Sequence, residues 1–310
     1  MNTSSPHRRP TRILLESTSA YGTPFTTGIQ RVVRSVVSHA AAAGRDLGVP
    51  CIPVLLRGGR FYDAGHAWHR KLRARHDREP RDPRPAGPAA PSFATGRTAW
   101  AAVRHRFRKI AASRTLRRWV AGAYWRVAGE PVEFREGDLL LLLDETWKTP
   151  LWPAVEQARE QGCRVGSVVY DLLPLDHPHF FQEAFVETYR RWLDRLTAHS
   201  DFFLTISRSV AGRLDERLLG GRFGDPRPCA AFRLGADSPR AVSPADVRPA
   251  LRELFDSADQ PTPYLVVGTL EPRKNHEFVL DAFDLLWQRQ PSARLCFVGR
   301  IGWKCRDLCA

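Results

Sequence analysis

The chain is short of three things, and each shortage excludes a class of protein. No apolar run reaches membrane-spanning length, and the amino terminus, MNTSSPHRRPTR, has no apolar core of signal-peptide length. Neither a transmembrane helix nor export is therefore expected. The six cysteines (Cys51, Cys163, Cys229, Cys296, Cys305 and Cys309) lack metal-ligand spacing. Cys305 and Cys309 share a helical interval, but two thiols do not make a zinc site, so reduced thiols in the cytoplasm and no metal are expected. Acids are scarce in one stretch. Between Arg60 and Arg126 there are seventeen Lys or Arg against four acids (Asp63, Asp77, Glu79, Asp82), so +13 of the total 47 − 33 = +14 lies there.

What is present is an ordinary apolar content in 310 residues, enough for one large or two ordinary globular domains. Within the basic segment, Glu79 to Pro91 is proline-rich and reads as an exposed disordered loop. Residues 97–126 then interleave Trp100, Val103, Phe107, Ile110, Leu116, Trp119 and Trp125 with arginines. Three readings fit: a helix on an anionic membrane surface, a nucleic-acid contact, or a solvated arginine-rich insertion. The membrane reading leads, making the protein peripheral on the inner face of the cytoplasmic membrane. No nucleic-acid motif accompanies the charge, so no nucleic-acid partner is expected.

Tyr264 to Gly302 carries the clearest chemistry. Tyr264-Leu265-Val266-Val267 has the composition of a buried strand, and Leu295 to Val298 that of a second. Between them Gly268-Thr269-Leu270-Glu271-Pro272 makes a turn, Arg273-Lys274 adds two cations, and Asn275 is a suitable N-cap. The helix after it has Phe278, Ala282, Phe283, Leu285 and Leu286 as its apolar face. Two cations at a helix start suit a phosphate; a solvated Arg-Lys pair is the plain alternative.

Earlier in the chain, Ile13-Leu14-Leu15 reads as a first strand. A small polar loop from Ser17 to Thr27 leads to a helix beginning at Gly28 or Ile29, capped by Thr26 or Thr27 and burying Ile29, Val32, Val33, Val36 and Val37. Gly28 is either a simple turn glycine or a place where a ligand approaches the backbone. Cys51–Leu56, Leu139–Leu143, Arg164–Tyr170, Asp201–Thr205 and Cys229–Leu234 read as further strands, and Leu151–Gln161, Phe180–Thr197 and the stretch from Ser207 to about Leu219 as helices. At strand ends stand Asp144-Glu145, read either as acceptor contacts or as solvated loop acids, and Asp171 with Asp176-His177. Asp176 and His177 either cap the helix from Phe180 or, for His177, act directly.

Three segments carry a resemblance. GTLEPRKN followed by a helix and VGRIGW, TGIQRVVR near the amino terminus, and VVYDLLPLDHP together resemble family 4 retaining glycosyltransferases of the GT-B fold. The last is similar to a bacterial lipopolysaccharide and exopolysaccharide subgroup, mannosyltransferase-like in character. Many members have a histidine beside the acid where this chain has Tyr170. The implied fold class is α/β: a doubly wound Rossmann-like first domain and the first strand–helix–strand of a second. The implied domains are 1–240 on the acceptor side (with the basic insertion at about 60–126), a linker at 241–262 with a short helix at 245–255, and a partial nucleotide-sugar-binding domain at 263–310. The family's nucleobase loop and its paired glutamates seven residues apart are absent from the last forty-seven positions, so a truncated second domain is expected.

The implied reaction moves a sugar from a nucleotide diphosphate sugar to a glycan or lipid-linked acceptor, with no cofactor and no obligatory metal. Asp171 is the implied catalytic or sugar-orienting acid. Gly28, Arg273 and Lys274 are the implied diphosphate ligands, with Gly268, Thr269, Glu271 and Asn275 lining the donor cleft. Asp144, Glu145 and His177 are the acceptor-side candidates. The rivals are a non-catalytic membrane- or protein-interaction module and a GT-B relative such as a sugar-nucleotide epimerase.

Overall fold

A computed structural model of the chain describes residues 9–23, 27–76, 129–219, 227–235 and 261–305, with isolated positions 247, 249 and 252. They form two compact units. Unit 1 takes the residues up to Tyr170 and Arg195–Leu234, and unit 2 takes Asp171–Asp194 and those from Gly235 onward. The membrane-facing candidate 97–126, the proline-rich loop and the short linker helix at 245–255 fall outside the described residues or on isolated positions.

Unit 1 is a seven-stranded sheet in the order β3-β2-β1-β4-β5-β6-β7. In chain order these are β1 (Arg12–Glu16), β2 (Cys51–Arg57), β3 (Arg60–Asp63), β4 (Asp138–Leu142), β5 (Arg164–Val169), β6 (Phe202–Thr205) and β7 (Cys229–Ala231). All pairs are parallel except β2 with β3. That exception comes from Gly58 and Gly59, both at positive φ (48° and 77°), which close a two-residue hairpin. Arg60–Asp63, read from sequence as the start of the basic insertion, is thus an edge strand.

The helices are α1 (Thr18–Gly22), α2 (Gly28–Leu47), α3 (Gly65–His76), α4 (Trp152–Glu160), α5 (Leu173–Asp176), α6 (Glu183–His199), α7 (Arg208–Leu219) and α8 (His276–Arg289). From β1 the chain winds outward through α2 to β2; from β4 it winds the other way through α4 to β5. Right-handed crossovers in opposite directions put those helices on opposite faces, which makes the sheet doubly wound. Apolar strands buried on both faces follow, with Leu14, Leu140 and Val165 fully buried. Helix α2 packs Val33, Val37 and Ala40 against them and ends at Gly48 in the left-handed conformation. Gly166 leaves room for the Phe202 ring, which a Cβ there would meet at 2.3 Å and push aside.

Unit 2 holds β8 (Tyr264–Val267) and β9 (Leu295–Val298), parallel and joined through α8. Gly299 is obligatory, since a Cβ would lie 1.6 Å from the Gly268 carbonyl oxygen. The expected apolar face of α8 is only partly covered: Phe283 is buried, whereas Phe278 and Leu285 are each 65% exposed. Two strands offer too little surface to cover the stripe.

Residues 171–194, grouped by the sequence reading with the first domain, belong to unit 2. Trp303 Nε1 donates to the Phe180 carbonyl at 2.7 Å, Lys304 Nζ donates to the His179 carbonyl at 2.8 Å, and the Phe181 and Trp303 rings stack. The helix expected from Phe180 begins at Glu183, after a 3-10 turn at Pro178–Phe180. Asp176 ends α5 instead, so neither it nor His177 caps α6.

Candidate functional site

The sequence-derived residues fall into two groups, one in each unit. In unit 1, β1 and β4 are neighbours from which the chain winds off in opposite directions. Their carboxyl ends therefore flank the topological switch point, where open α/β sheets take ligands. Gly28 stands there as the first residue of α2. Nothing lies within 4 Å of where its Cβ would be, so no packing within the fold demands glycine and a ligand could approach the backbone there.

Beside it lie three buried acids. Asp144 and Glu145 are 3% and 5% exposed, which overturns the reading of them as solvated loop acids. Asp144 Oδ2 accepts from the Ala20 N–H at 2.5 Å, and its Oδ1 from the Glu145 N–H at 2.8 Å. Glu145 Oε1 accepts from Gln30 Nε2 at 2.8 Å, while Oε2 pairs with Lys148. Glu16, at the end of β1, is 1% exposed; Oε1 accepts from the Thr18 N–H at 2.9 Å, and Oε2 has no hydrogen-bond partner. Burial, reinforced by the charge of Asp144, raises the Glu16 carboxyl to about 7. Asp144 is also raised, again chiefly by burial. Tyr170, in the position where many relatives of the resembled family carry histidine, is buried and donates to the Leu143 carbonyl at 2.7 Å. It fastens the end of β5 to the end of β4, and burial raises its phenol.

In unit 2 the cations stand as expected in the turn before α8, on a 3-10 helix at Pro272–Lys274. Asn275 links that turn to α8 in the left-handed conformation (φ 54°, ψ 44°) and makes no side-chain cap bond, so the expected N-cap is one by position only. Arg273 and Lys274 differ. Both are exposed, but the Arg273 Nη2 lies 2.5 Å from Oε1 of Glu271, whose side chain is 1% exposed. Gly268, like Gly28, has open space where a Cβ would be, and Thr269 follows it in the same turn. Next to the turn a cavity of about 190 Å³ is lined by Glu271, Asn275, His276, Glu277 and Lys304. The buried Nδ1 of His276 has no hydrogen-bond partner.

Asp171 belongs to the same unit as Arg273, and the two charges interact. Burial raises the Asp171 carboxyl, opposed by its bond from the Leu173 N–H (3.1 Å) and by the Arg273 guanidinium. Its backbone is held by Tyr189, whose hydroxyl donates to the Asp171 carbonyl at 2.7 Å. His177 is exposed, its ring 6.0 Å from those of His179 and Phe180.

Sequence reasoning passed over Glu16, Gln30, Tyr189 and Trp303. Only Gln30 left a legible signal: Thr27-x-x-Gln30 before an apolar run is the pattern of a capping box.

The chain is 32% identical over 190 residues to serotype-specific mannosyltransferase WbdA of Escherichia coli, which three curated proteins represent. The aligned region takes 59% of this chain and 22–23% of those relatives, so the chain spans about a quarter of their length. No protein-family model and no solved structure matches the chain.

Proposed function

We propose that the chain is part of a retaining glycosyltransferase of cell-surface polysaccharide synthesis, of family 4 and the GT-B fold. In this reading the donor is a nucleotide diphosphate sugar and the acceptor a glycan or lipid-linked glycan. The observation that carries the proposal is the 32% identity with a serotype-specific mannosyltransferase across 190 residues. Its chemistry agrees with the two groups of residues. Lys274, exposed in its turn, and Arg273, anchored on Glu271, face the donor diphosphate and neutralise the charge that builds on the leaving oxygen. Gly28 meets phosphate through backbone. The bond from the anomeric carbon to the diphosphate breaks, the acceptor oxygen bonds to that carbon, and the hydroxyl proton leaves with a phosphate oxygen. Asp171, fixed by Tyr189 and within reach of the Arg273 charge, orients the reacting sugar. The two cations serve where other transferases use a metal. Gly268, Thr269, Glu271 and Asn275 line or support the donor side and His177 the acceptor side, while the buried Asp144 and Glu145 act from behind by holding the surrounding chain in place.

The exposed apolar residues of unit 2 support a donor domain that further strand–helix units complete in a longer enzyme, with the basic segment at 97–126 as a peripheral anchor on anionic lipid. No helix among the described residues is long and apolar enough to cross a membrane. The same exposed residues also favour a second reading, a non-catalytic interaction module. Titration calorimetry with nucleotide sugars separates the two. Transfer predicts saturable binding that Lys274→Ala weakens by about 30-fold or more, roughly 2 kcal/mol for a lost charge-assisted contact. Binding unchanged by that substitution removes the donor-site assignment, and no heat at all favours the module.

A further inference from the structure

The switch-point acids of unit 1 are bound to the turn that opens α2. Gln30 Oε1 accepts from the Thr27 N–H at 3.0 Å, and its Nε2 donates to Glu145 Oε1 at 2.8 Å. Glu145 lies three residues past the end of β4 and receives Lys148 on its other oxygen, so the Glu145–Lys148 pair adds no net charge beside Gly28. One residue behind, Asp144 accepts from the Ala20 N–H. From α2, Arg34 Nη2 donates to the carbonyls of Ala20 (3.3 Å) and Thr23 (3.0 Å). Ala20 and Thr23 are thus held from the sheet end and from the helix, and the first turn of α2 is tied to the segment after β4 by one amide side chain that accepts at one end and donates at the other.

We infer that Gln30 and Glu145 are positioning residues that fix the Gly28 turn for a phosphate of the sugar-nucleotide donor. This rests on the proposed transferase reading for the ligand, but not for the latch itself. The chemistry is specific to an amide against a carboxylate. A carboxylate at 30 still caps Thr27 but has no donor for Glu145 and sets two buried acids face to face. A reciprocal exchange restores the bond with its polarity reversed, because glutamine at 145 donates to glutamate at 30. Glu145→Gln alone is mild, since its carbonyl still accepts from Gln30.

The test compares wild type, Glu145→Gln, Gln30→Glu and the double exchange by amide hydrogen exchange and by titration with UDP and with GDP. Arg31 supplies the first helical bond of α2, to the Thr27 carbonyl, so its amide and that of Val32 report the turn. Gln30→Glu is expected to speed their exchange and weaken diphosphate affinity about tenfold, equivalent to about 1.4 kcal/mol. The double exchange should return both to within about threefold of wild type. A double variant as impaired as Gln30→Glu overturns the latch. Faster exchange with unchanged affinity overturns its role in donor binding. If wild type binds neither nucleotide, the transferase reading fails, and rescue of exchange at Arg31 and Val32 alone decides the latch.

Discussion

Unit 1 and unit 2 are built from the same strand–helix–strand module, yet they treat apolar surface and charge in opposite ways. Unit 1 closes a core in which Leu14, Val33, Leu140 and Val165 have no exposure, and it buries its switch-point acids inside internal hydrogen bonds. Unit 2 leaves Leu265, Val267 and Ile301 at 52%, 72% and 72% exposure and displays cations in its turn. Strand number accounts for the first difference. A module in mid-sheet has neighbours on both edges and helices on both faces, whereas a two-stranded sheet covers one side of one helix. The second difference separates roles: the enclosed acids of unit 1 hold the chain in place, whereas in unit 2 the buried Glu271 holds Arg273 and the exposed Lys274 stays open to an anion.

The largest test of that contrast is Trp68→Ala. Trp68 is 1% exposed and donates to Ser17 Oγ at 2.9 Å, so its loss should cost unit 1 about 4 kcal/mol in denaturant unfolding. Arg273→Ala should come next, at about 3 kcal/mol in local exchange across β8 and α8, because Glu271 is left buried without its cation. Lys274→Ala should leave the same exchange unchanged. Equal effects from the two would contradict the division of labour between them.

The buried Glu16 gives a pH test. Its folded carboxyl, raised to about 7 from an ordinary 4.5 by burial and by the charge of Asp144, keeps its proton to a higher pH than in the unfolded chain. That stability is complete below about pH 4.5 and is lost as pH rises through 7. Glu16→Gln should remove this loss and so gain about 2–3 kcal/mol over wild type at pH 8 while matching it at pH 4.5. Parallel pH profiles for the two proteins would refute a protonated Glu16. The smallest effect is expected at Val267→Thr, within about 0.5 kcal/mol of wild type, since that side chain is already in water.

Much of this architecture was legible in the residues. The apolar runs at Ile13, Cys51, Leu139, Arg164, Asp201 and Tyr264 all became parallel strands, and Thr27 became the cap of α2. The Gly58-Gly59 hairpin was readable but went unread, hidden by the arginines around it. The state of Asp144 and Glu145 was not readable, because a DE pair after a leucine run looks the same whether water or Gln30 meets it. Nor did local pattern show that 171–194 joins unit 2, which depends on Trp303 and Lys304 more than a hundred residues away.

By itself, then, the sequence determined the doubly wound strand order's raw materials and the placing of a glycine and two cations at strand-to-helix turns. Periodicity and turn chemistry are local, and local interactions settle them. Only the tertiary structure decided that Arg273 is held by Glu271, that Asp171 shares a unit with it, and that three acids are enclosed at the switch point. Those facts depend on which groups lose water when distant segments meet, and burial is a property of the assembled fold.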